Sequence, residues 1–345
     1  MARVRQATDL PTADIVGSWL SVCYEHMTVE PSRAVIIGSA GQDGRLLTQL
    51  LERDGTETIG ISRGSVDLAD NKAVAELMDR HAPTRVYYLA AVHGSSEAAN
   101  SPETEAELVA RSVAVHVTGL VSFLQAIADR GGNTKLFYAA SSRIFGTPSR
   151  LVQDETTAIA PSETYGITKA AGLFFCRMYR RQFRVQASTG ILYNHESPLR
   201  AAGYVTQKLA RAAAQAALGI GTPVFVRDLD ARVDWGWAED YVEAMRRILD
   251  LPAADDFVIA SGTTHAIREF ATAAFGHVGL DWRDHVRQGD EAMVILRPQL
   301  CGSPAKLTSA TGWRPVVSMP EIAARLVDAQ LVRLRNKAEP TESPT

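Results

Sequence analysis

The stretch AVIIGSAGQDGRLL, residues 34–47, decides the fold of this chain. It begins with four apolar residues, as a buried strand does, and continues with Gly38, Gly41 and Gly44 at the start of a helical pattern. In such a turn the first glycine allows a tight bend, the second lets the backbone approach a pyrophosphate, and the third allows close helix–strand packing. The phosphates then lie at the helix N-terminus, where free N–H groups attract anions. Strand, glycine turn and helix together predict a dinucleotide-binding site.

Alternating strand and helix patterns continue outward from this stretch. Predicted strands cover residues 34–38, 57–61, 85–90, 135–140 and 185–192, and predicted helices cover residues 44–54, 70–81, 104–130, 165–183 and 205–218. Later elements are less regular: short strands near 223–226 and 257–260, and helices near 238–250, 265–278 and 318–334. Few polar residues interrupt the main strands, which is typical of a parallel sheet covered on both faces. We predict an α/β fold: a Rossmann-type doubly wound parallel sheet with a smaller C-terminal α/β substrate lobe at its carboxyl edge.

The end of the second predicted strand indicates which dinucleotide is bound. An NAD site normally carries Asp or Glu there to bind the ribose 2′-hydroxyl, whereas an arginine accommodates a 2′-phosphate. Arg63 stands at this position and favours NADP; the alternative is an arginine in a solvated loop. The predicted cofactor contacts are the three glycines with Gln42 and Asp43, then Arg63, Asp67, Leu68, Leu89, Ala90 and Ala91.

These patterns predict four parts of the chain. Residues 1–32 form a poorly ordered N-terminal extension, and residues 33–195 form the NADP-binding Rossmann domain. Residues 196–335 form mainly the substrate-binding lobe, with parts near 223–250 returning to the Rossmann unit. The polar, proline-bearing tail at 336–345 is predicted to be disordered.

A phenol and an amine four residues apart, Tyr165 and Lys169, share one face of the predicted helix over 165–183. Tyrosine alone is a poor base at neutral pH because its pKa is about 10. An adjacent ammonium and a nicotinamide cation favour the phenolate, which can then take a proton from an alcohol as hydride leaves. Ser141 and Ser142 follow the fourth predicted strand and are candidates to orient the substrate oxygen. The spacing therefore predicts an oxidoreductase.

Several longer segments carry a family resemblance. They are the glycine turn with its Gln-Asp pair, GILYNHESPLR at 190–200, YVTQK at 204–208, LDARVDWG at 229–236, DFVIASG at 256–262, Arg297-Pro298 and GWRP at 312–315. With these segments the chain resembles the extended short-chain dehydrogenases/reductases and, among them, the GDP-mannose 4,6-dehydratases. The similarity runs from about residue 33 to about residue 330.

The resemblance implies a nucleotide-sugar substrate, a GDP-hexose such as GDP-mannose, bound beside NADP. His195 and Arg200 are implied to contact NADP, and Asn194, Lys208 and Arg297 to hold the nucleotide sugar. The family's Arg-Asp-Trp motif reads Val-Asp-Trp here, with Arg232 one place earlier, so the implied phosphate contact is displaced or lost.

The family reaction oxidises C4 of the sugar by hydride transfer to NADP, eliminates water across C5 and C6, and returns the hydride to C6. The elimination needs a carboxylate acid/base, implied to stand two residues after the orienting hydroxyl. Arg143 occupies that position, and a guanidinium is not a base at physiological pH.

Four interpretations of Arg143 are open. Glu163 or Glu196 could replace the missing carboxylate, or the enzyme could act as a C4 oxidoreductase or epimerase without elimination. Arg143 could instead bind an anionic group on a different substrate, and it counts here as a candidate catalytic residue. In the fourth interpretation the chain is a retired NADP-binding protein, against which the presence of Ser141, Tyr165 and Lys169 argues.

Composition bounds the remaining possibilities. With 46% apolar residues, 22% charged residues and a net charge of −3, the 345 residues indicate an ordinary globular protein without a basic field for nucleic acid. Its three cysteines stand far apart, so we expect no metal site and a cytoplasmic location. No apolar run approaches the ~20 residues of a membrane span. The dehydratases' long insertion after the position of Arg63 is missing, which favours a homodimer.

Overall fold

The described residues, 32–92, 103–131, 133–289 and 299–338 of a computed structural model, form a parallel sheet flanked by helices. The sheet contains β1 (Arg33–Ile37), β2 (Glu57–Ile61), β3 (Arg85–Tyr88), β4 (Lys135–Ser141), β5 (Gln186–Leu192) and β9 (Asp256–Ile259). These six strands are all parallel and lie in the order β2-β1-β3-β4-β5-β9. This order places the glycine turn after β1 at the centre of the carboxyl edge, where open α/β sheets bind ligands.

Helices cover both faces of this sheet. One face packs against α2 (Asn71–His81), α4 (Gly119–Arg130) and α5 (Thr164–Phe183), and the other against α1 (Gln42–Arg53) and α7 (Ala238–Asp250). Alternate residues of β1 divide between the two faces of the sheet: Val35 and Ile37 pack on the first face, Ala34 and Ile36 on the second. This alternation explains why the strands read as continuous apolar runs.

A further set of elements forms a core of its own, which we call the second core. It comprises a three-stranded sheet of β6 (Asn194–Glu196), β8 (Arg232–Trp237) and β10 (Thr264–Ala266), and a two-stranded sheet of β7 (Val224–Val226) and β11 (Val286–Gln288). The helices α6 (Val205–Ala217), α8 (Ile267–His277) and α10 (Met319–Ala338) pack together with these strands. The short helix α9 (Ala305–Thr311) instead packs beside the main sheet.

The structure confirms the predicted Rossmann-type sheet, and it adds detail to two segments. The β7 segment pairs with β11, whereas α7 and β9 belong to the main sheet layer, so the chain crosses between the two cores more than once. Helix α10 continues to Ala338, three residues into the segment predicted to be disordered, because the first helix-breaking residue is Pro340. Residues 1–31 and 339–345 lie outside the described residues, and the functional division of the chain stays a prediction.

The predicted helix over 104–130 contains an irregular turn. It consists of α3 (Glu105–Val113), a π-helical turn (Ala114–Thr118) and α4. Together the 26 residues are long and apolar enough to cross a membrane by length and composition, which the sequence analysis did not anticipate. In the fold, the buried face of α4 packs in the sheet core through Leu120, Phe123 and Leu124, as a core helix does.

Candidate active site

The glycine turn packs so closely on the neighbouring backbone that two of its positions have no space for a Cβ. Gly38 has a φ of +91°, and a Cβ there would lie 2.8 Å from the backbone nitrogen of Ala90. A Cβ on Gly44 would lie 2.3 Å from the Gly38 carbonyl oxygen. Gly41 precedes α1 in an extended conformation and supplies no side-chain cap, so the first N–H groups of α1 can bind an anion.

The other predicted cofactor residues surround this turn. Arg63 and Asp67 are exposed after β2, and Leu68 is half-buried beside Gly119. Leu89, Ala90 and Ala91 are half-buried after β3, next to the turn. These residues lie along the carboxyl edge of β1, β2 and β3, which we call the candidate cofactor cleft.

The predicted catalytic side chains come together at one end of this cleft. The Tyr165 phenol is hydrogen-bonded to the side chain of Ser141, at the end of β4. The Lys169 side chain is buried, and its Nζ donates to the Ala139 carbonyl at 2.8 Å and more weakly to the Ala90 carbonyl at 3.5 Å. The same Nζ lies 5.9 Å from the centre of the Tyr165 ring.

Burial opposes the charged forms of both Tyr165 and Lys169 in the protein alone. It raises the pKa of the Tyr165 phenol, an effect that the Arg200 charge and the Ser141 hydrogen bond oppose. Burial also lowers the pKa of Lys169 to about 7, against an opposing effect of Asp43. A cation bound in the cleft would lower the pKa of Tyr165 and so favour the phenolate.

An ion pair joins the glycine turn to β6. His195 Nε2 donates to the Asp43 carboxylate at 2.9 Å, and its Nδ1 donates to the Tyr193 carbonyl at 2.7 Å. Both ring nitrogens face acceptors, so the imidazole bridges the glycine turn and the strand end at Tyr193. Burial alone would raise the pKa of Asp43, but His195, with smaller effects of Gln42 and Arg200, brings it down to about 2.

Arg200 extends this polar cluster. Its Nη1 donates to the His195 carbonyl at 2.7 Å, and its Nε lies 3.4 Å from the buried carboxylate of Glu196. The guanidinium carbon lies 3.9 Å from the centre of the Tyr204 ring. Glu196 also accepts from the Thr206 hydroxyl at 2.7 Å. A buried Glu196 held by these two partners is not a free carboxylate in the cleft.

Arg143 is paired with a carboxylate. It lies in a 3₁₀ turn after β4, and its guanidinium binds both oxygens of Glu163, with Nη2 at 2.7 Å from Oε2. Glu163 immediately precedes α5. The hydrogen bond between Arg143 and Glu163 raises the pKa of the Arg143 guanidinium, which stays a cation.

The remaining predicted substrate residues are spread around the second core. Ser142 is buried after β4, whereas Asn194 on β6 and Lys208 on α6 are exposed. Arg232 is exposed on β8 and donates to the Thr264 carbonyl at 2.8 Å. Arg297 lies outside the described residues.

His116 is a buried residue that the sequence analysis did not connect with the site. The sequence predicts only packing or surface roles for the histidines at 93, 116, 265 and 277, because none has a partner motif. His116 lies on the π-helical turn, is fully buried, and packs edge to face with Tyr165 at 5.5 Å between ring centres. No local motif could have shown this, since the two rings are 49 positions apart.

A Rossmann-type sheet that carries serine, tyrosine and lysine at its carboxyl edge defines the class of short-chain dehydrogenases/reductases. The family model of GDP-mannose 4,6 dehydratase matches residues 64–326, and the chain belongs to this family. GDP-mannose 4,6 dehydratase 1 of Arabidopsis thaliana is 33% identical over 340 residues, covering 88% of this chain and 91% of the relative. The GDP-mannose 4,6 dehydratase of Homo sapiens is 29% identical, covering 88% and 92%.

Solved structures share the fold. The RMD of Pseudomonas aeruginosa, complexed with NADPH, superimposes with a TM-score of 0.76 at 22% identity, covering 88% of this chain and 99% of that one. The UDP-glucose 4-epimerase of Thermus thermophilus, in complex with NAD, gives a TM-score of 0.73 at 21% identity, covering 86% and 98%. At these identities the likeness concerns the fold alone.

Proposed function

We propose that this protein is an NADP-dependent enzyme that oxidises C4 of a GDP-linked hexose such as GDP-mannose to a 4-keto intermediate. The observation that carries the proposal is the Ser141, Tyr165 and Lys169 cluster beside the glycine turn. Membership of the dehydratase family supports the GDP-hexose.

Each side chain of the cluster has its own role in removing the proton of the C4 hydroxyl. The nicotinamide, when bound, accepts the hydride from C4. Ser141 orients the C4 hydroxyl, and Tyr165 takes its proton. Lys169 is held by the Ala139 carbonyl, and in its protonated form it places a positive charge beside the phenol and favours the phenolate. Arg200 adds a second positive charge that lowers the pKa of Tyr165.

The cleft fits a dinucleotide. The bare backbone of the glycine turn and the free N–H groups of α1 suit a diphosphate, and Leu68 with Leu89 to Ala91 supplies apolar surface. Gln42, Asp43, His195 and Arg200 form the polar side of the same cleft. Among the described residues no group of three or more His, Cys, Asp or Glu could hold a metal ion.

Arg63→Ala is expected to weaken the binding of NADPH by about tenfold and of NADH by less than twofold, because a charged hydrogen bond to the 2′-phosphate contributes about 1.5 kcal/mol or more. Titration of cofactor fluorescence measures both affinities. The matched control is Arg53→Ala, an exposed arginine at the end of α1. Equal weakening of NADPH and NADH would show that Arg63 does not reach the 2′-phosphate.

The substrate site lies towards the second core in this proposal. Ser142, Asn194, Lys208, Arg232 and Arg297 are the proposed sugar and phosphate contacts. Lys208 is exposed on α6 beside a cavity of about 310 Å³, which Arg211 and Thr222 also line. Two positive charges at this cavity suit the diphosphate of a nucleotide sugar.

The Arg143–Glu163 pair favours a second candidate function, C4 epimerisation or reduction without elimination. A carboxylate bound bidentately by a guanidinium is a weak base, because the cation stabilises its ionised form. Glu163 is thus poorly suited to remove a proton from C5, and Glu196 is buried in its own ion pair. The alternative in which Arg143 binds an anionic substrate group requires that group to displace Glu163.

The mass of the product distinguishes these functions. Incubation with NADP and GDP-mannose in D₂O is expected to give one of two results. A 4,6-dehydratase yields a product lighter by one water that carries deuterium at C5. An enzyme without elimination yields a product of unchanged mass if it is an epimerase, or one changed by two hydrogens if it is an oxidoreductase. Transient absorbance of reduced nicotinamide is expected in both cases. No hydride transfer with any GDP-hexose, despite tight NADP binding, would contradict the proposal and indicate a binding protein.

We further infer a homodimer in the cytoplasm. Val109 and Val113 on α3 and Ile167 and Phe174 on α5 expose apolar side chains on two helices that pack side by side. A second copy covering them would form a bundle of helices. Light scattering of the purified protein measures this state, and a monomer at micromolar concentration would contradict it.

A further inference from the structure

His116 stands between two segments that the proposed reaction uses. Its Nε2 accepts from the backbone N–H of Val92 at 2.8 Å, just after the strand end that borders the cofactor cleft. Its Nδ1 lies 2.8 Å from the hydroxyl oxygen of Thr168, on the same helical turn as Tyr165 and Lys169. The imidazole therefore connects the cofactor side of the site to the catalytic helix.

The proton positions in this link follow from its partners. A backbone N–H can only donate, so Nε2 is the unprotonated nitrogen. Thr168 donates its single hydroxyl proton to the Thr164 carbonyl at 2.9 Å, or to that of Tyr165 at 3.2 Å, so its oxygen accepts from Nδ1–H. Both ends thus require the same neutral tautomer, and the chain of donors runs in one direction from Val92 to α5.

The π-helical turn places the His116 side chain between Val92 and Thr168. Tyr88 donates its hydroxyl to the Val115 carbonyl at 2.6 Å, which satisfies a backbone group beside the irregular turn. The residue after the turn is Gly119, where a Cβ would lie 2.5 Å from the Tyr88 hydroxyl oxygen, so the close approach of Tyr88 requires a glycine. Such turns occur often at functional sites because they redirect one side chain of a helix.

We propose that His116 is a positioning residue for hydride transfer, which holds the Tyr165 turn of α5 at a set distance from the strand end beside the nicotinamide. This inference rests on the proposed C4 oxidation. His116 touches Tyr165 edge to face, while Lys169 makes a weaker contact to the same strand end at Ala90. The reacting groups then keep their alignment through two hydrogen-bonded connections, one through His116 and one through Lys169.

Two variants separate the two hydrogen bonds of His116. Glutamine places a polar atom near the position of Nε2, so His116→Gln keeps the acceptor for Val92 and loses the bond to Thr168. Asparagine places one near Nδ1, so His116→Asn keeps the bond to Thr168 and loses the one to Val92. Each variant is expected to lower kcat by about tenfold to a hundredfold, since a misplacement of about 1 Å costs about that much, with KM and NADP affinity within twofold.

Two further readouts distinguish positioning from general stability. The deuterium isotope effect of a C4-deuterated substrate is expected to rise in both variants, because the hydride step becomes slower. Adding Thr168→Val to His116→Gln is expected to leave kcat unchanged, because the bond between residues 116 and 168 is already lost. Adding it to His116→Asn, which keeps that bond, is expected to lower kcat several-fold. Leu124→Ala is the control: it removes buried core volume nearby and lowers Tm, with kcat per folded molecule unchanged.

The outcomes separate this inference from the proposed function. Failure of the wild-type protein to oxidise any GDP-hexose counts against the function, and hydrogen exchange at the Val92 amide then tests the link without turnover. Exchange is expected to be faster in His116→Asn than in the wild type or His116→Gln, and equal exchange in all three overturns the inference. With an active wild type, unchanged kcat and isotope effect in both variants overturn it as well.

Discussion

Tyr165→Phe is expected to lower kcat for oxidation at C4 by about 10³-fold, since a positioned general base contributes about 10²- to 10⁴-fold. Phenylalanine keeps the ring that packs against His116 and removes only the hydroxyl that is hydrogen-bonded to Ser141. The affinity for NADPH and the Tm are therefore expected to stay near the wild-type values. Stopped-flow absorbance of reduced nicotinamide with GDP-mannose measures the loss directly.

Tyr179→Phe is the matched control for this experiment. Tyr179 lies on the same helix, and its hydroxyl donates to Gln125 away from the cleft. Its removal is expected to leave kcat within twofold. If Tyr165→Phe retained wild-type kcat, another group would take the C4 proton, and the assignment of Tyr165 would be wrong.

Asp43→Asn is expected to lower the free energy of unfolding at pH 7 by about 2–3 kcal/mol, because each unit of pKa shift corresponds to about 1.4 kcal/mol. Ionised Asp43 stabilises the folded state, since its pKa falls from 3.8 to about 2 on folding. This contribution is complete above pH 3.8 and is lost as the pH falls to about 2. The variant also replaces the carboxylate that contacts His195 Nε2 by an amide.

Urea unfolding at pH 7 and at pH 2.5 measures this effect. The difference between the wild type and Asp43→Asn is expected to shrink at the lower pH, because Asp43 in the unfolded chain is protonated there and folding must release that proton. Asp67→Asn, an exposed aspartate beside the same cleft, is the control and is expected to change stability at neither pH. An equal loss at both pH values would indicate a packing defect in place of the lost ion pair.

The sheet and the proximity of Ser141, Tyr165 and Lys169 could be predicted because their signals are local. The glycine turn, the four-residue spacing of Tyr165 and Lys169, and Ser141 at a strand end each depend on the periodicity of one element. The parallel sheet orders these elements at one edge without further information. The family resemblance added His195 and Arg200, which the structure brings to Asp43 in the glycine turn.

The pairings between distant segments could not be predicted in this way. The bond of Arg143 to Glu163 depends on how the loop before α5 folds back on β4, and the position of His116 depends on one irregular turn within a helix. Glu163 was a candidate base on the basis of its distance from Tyr165 along the chain. Its ion pair is a tertiary contact that no periodicity encodes.

The crossing of the chain between its two cores has a consequence for synthesis on the ribosome. The glycine turn is translated early, but Asp43 in it cannot pair with His195 until that residue has been translated. The main sheet receives its last strand, β9, only when residues 256–259 have been translated. Helix α7, which covers the apolar side of α1, is likewise translated late. The nascent chain therefore carries uncovered apolar surface through most of its translation, a period in which a chaperone that shields apolar segments would raise the yield of folded enzyme.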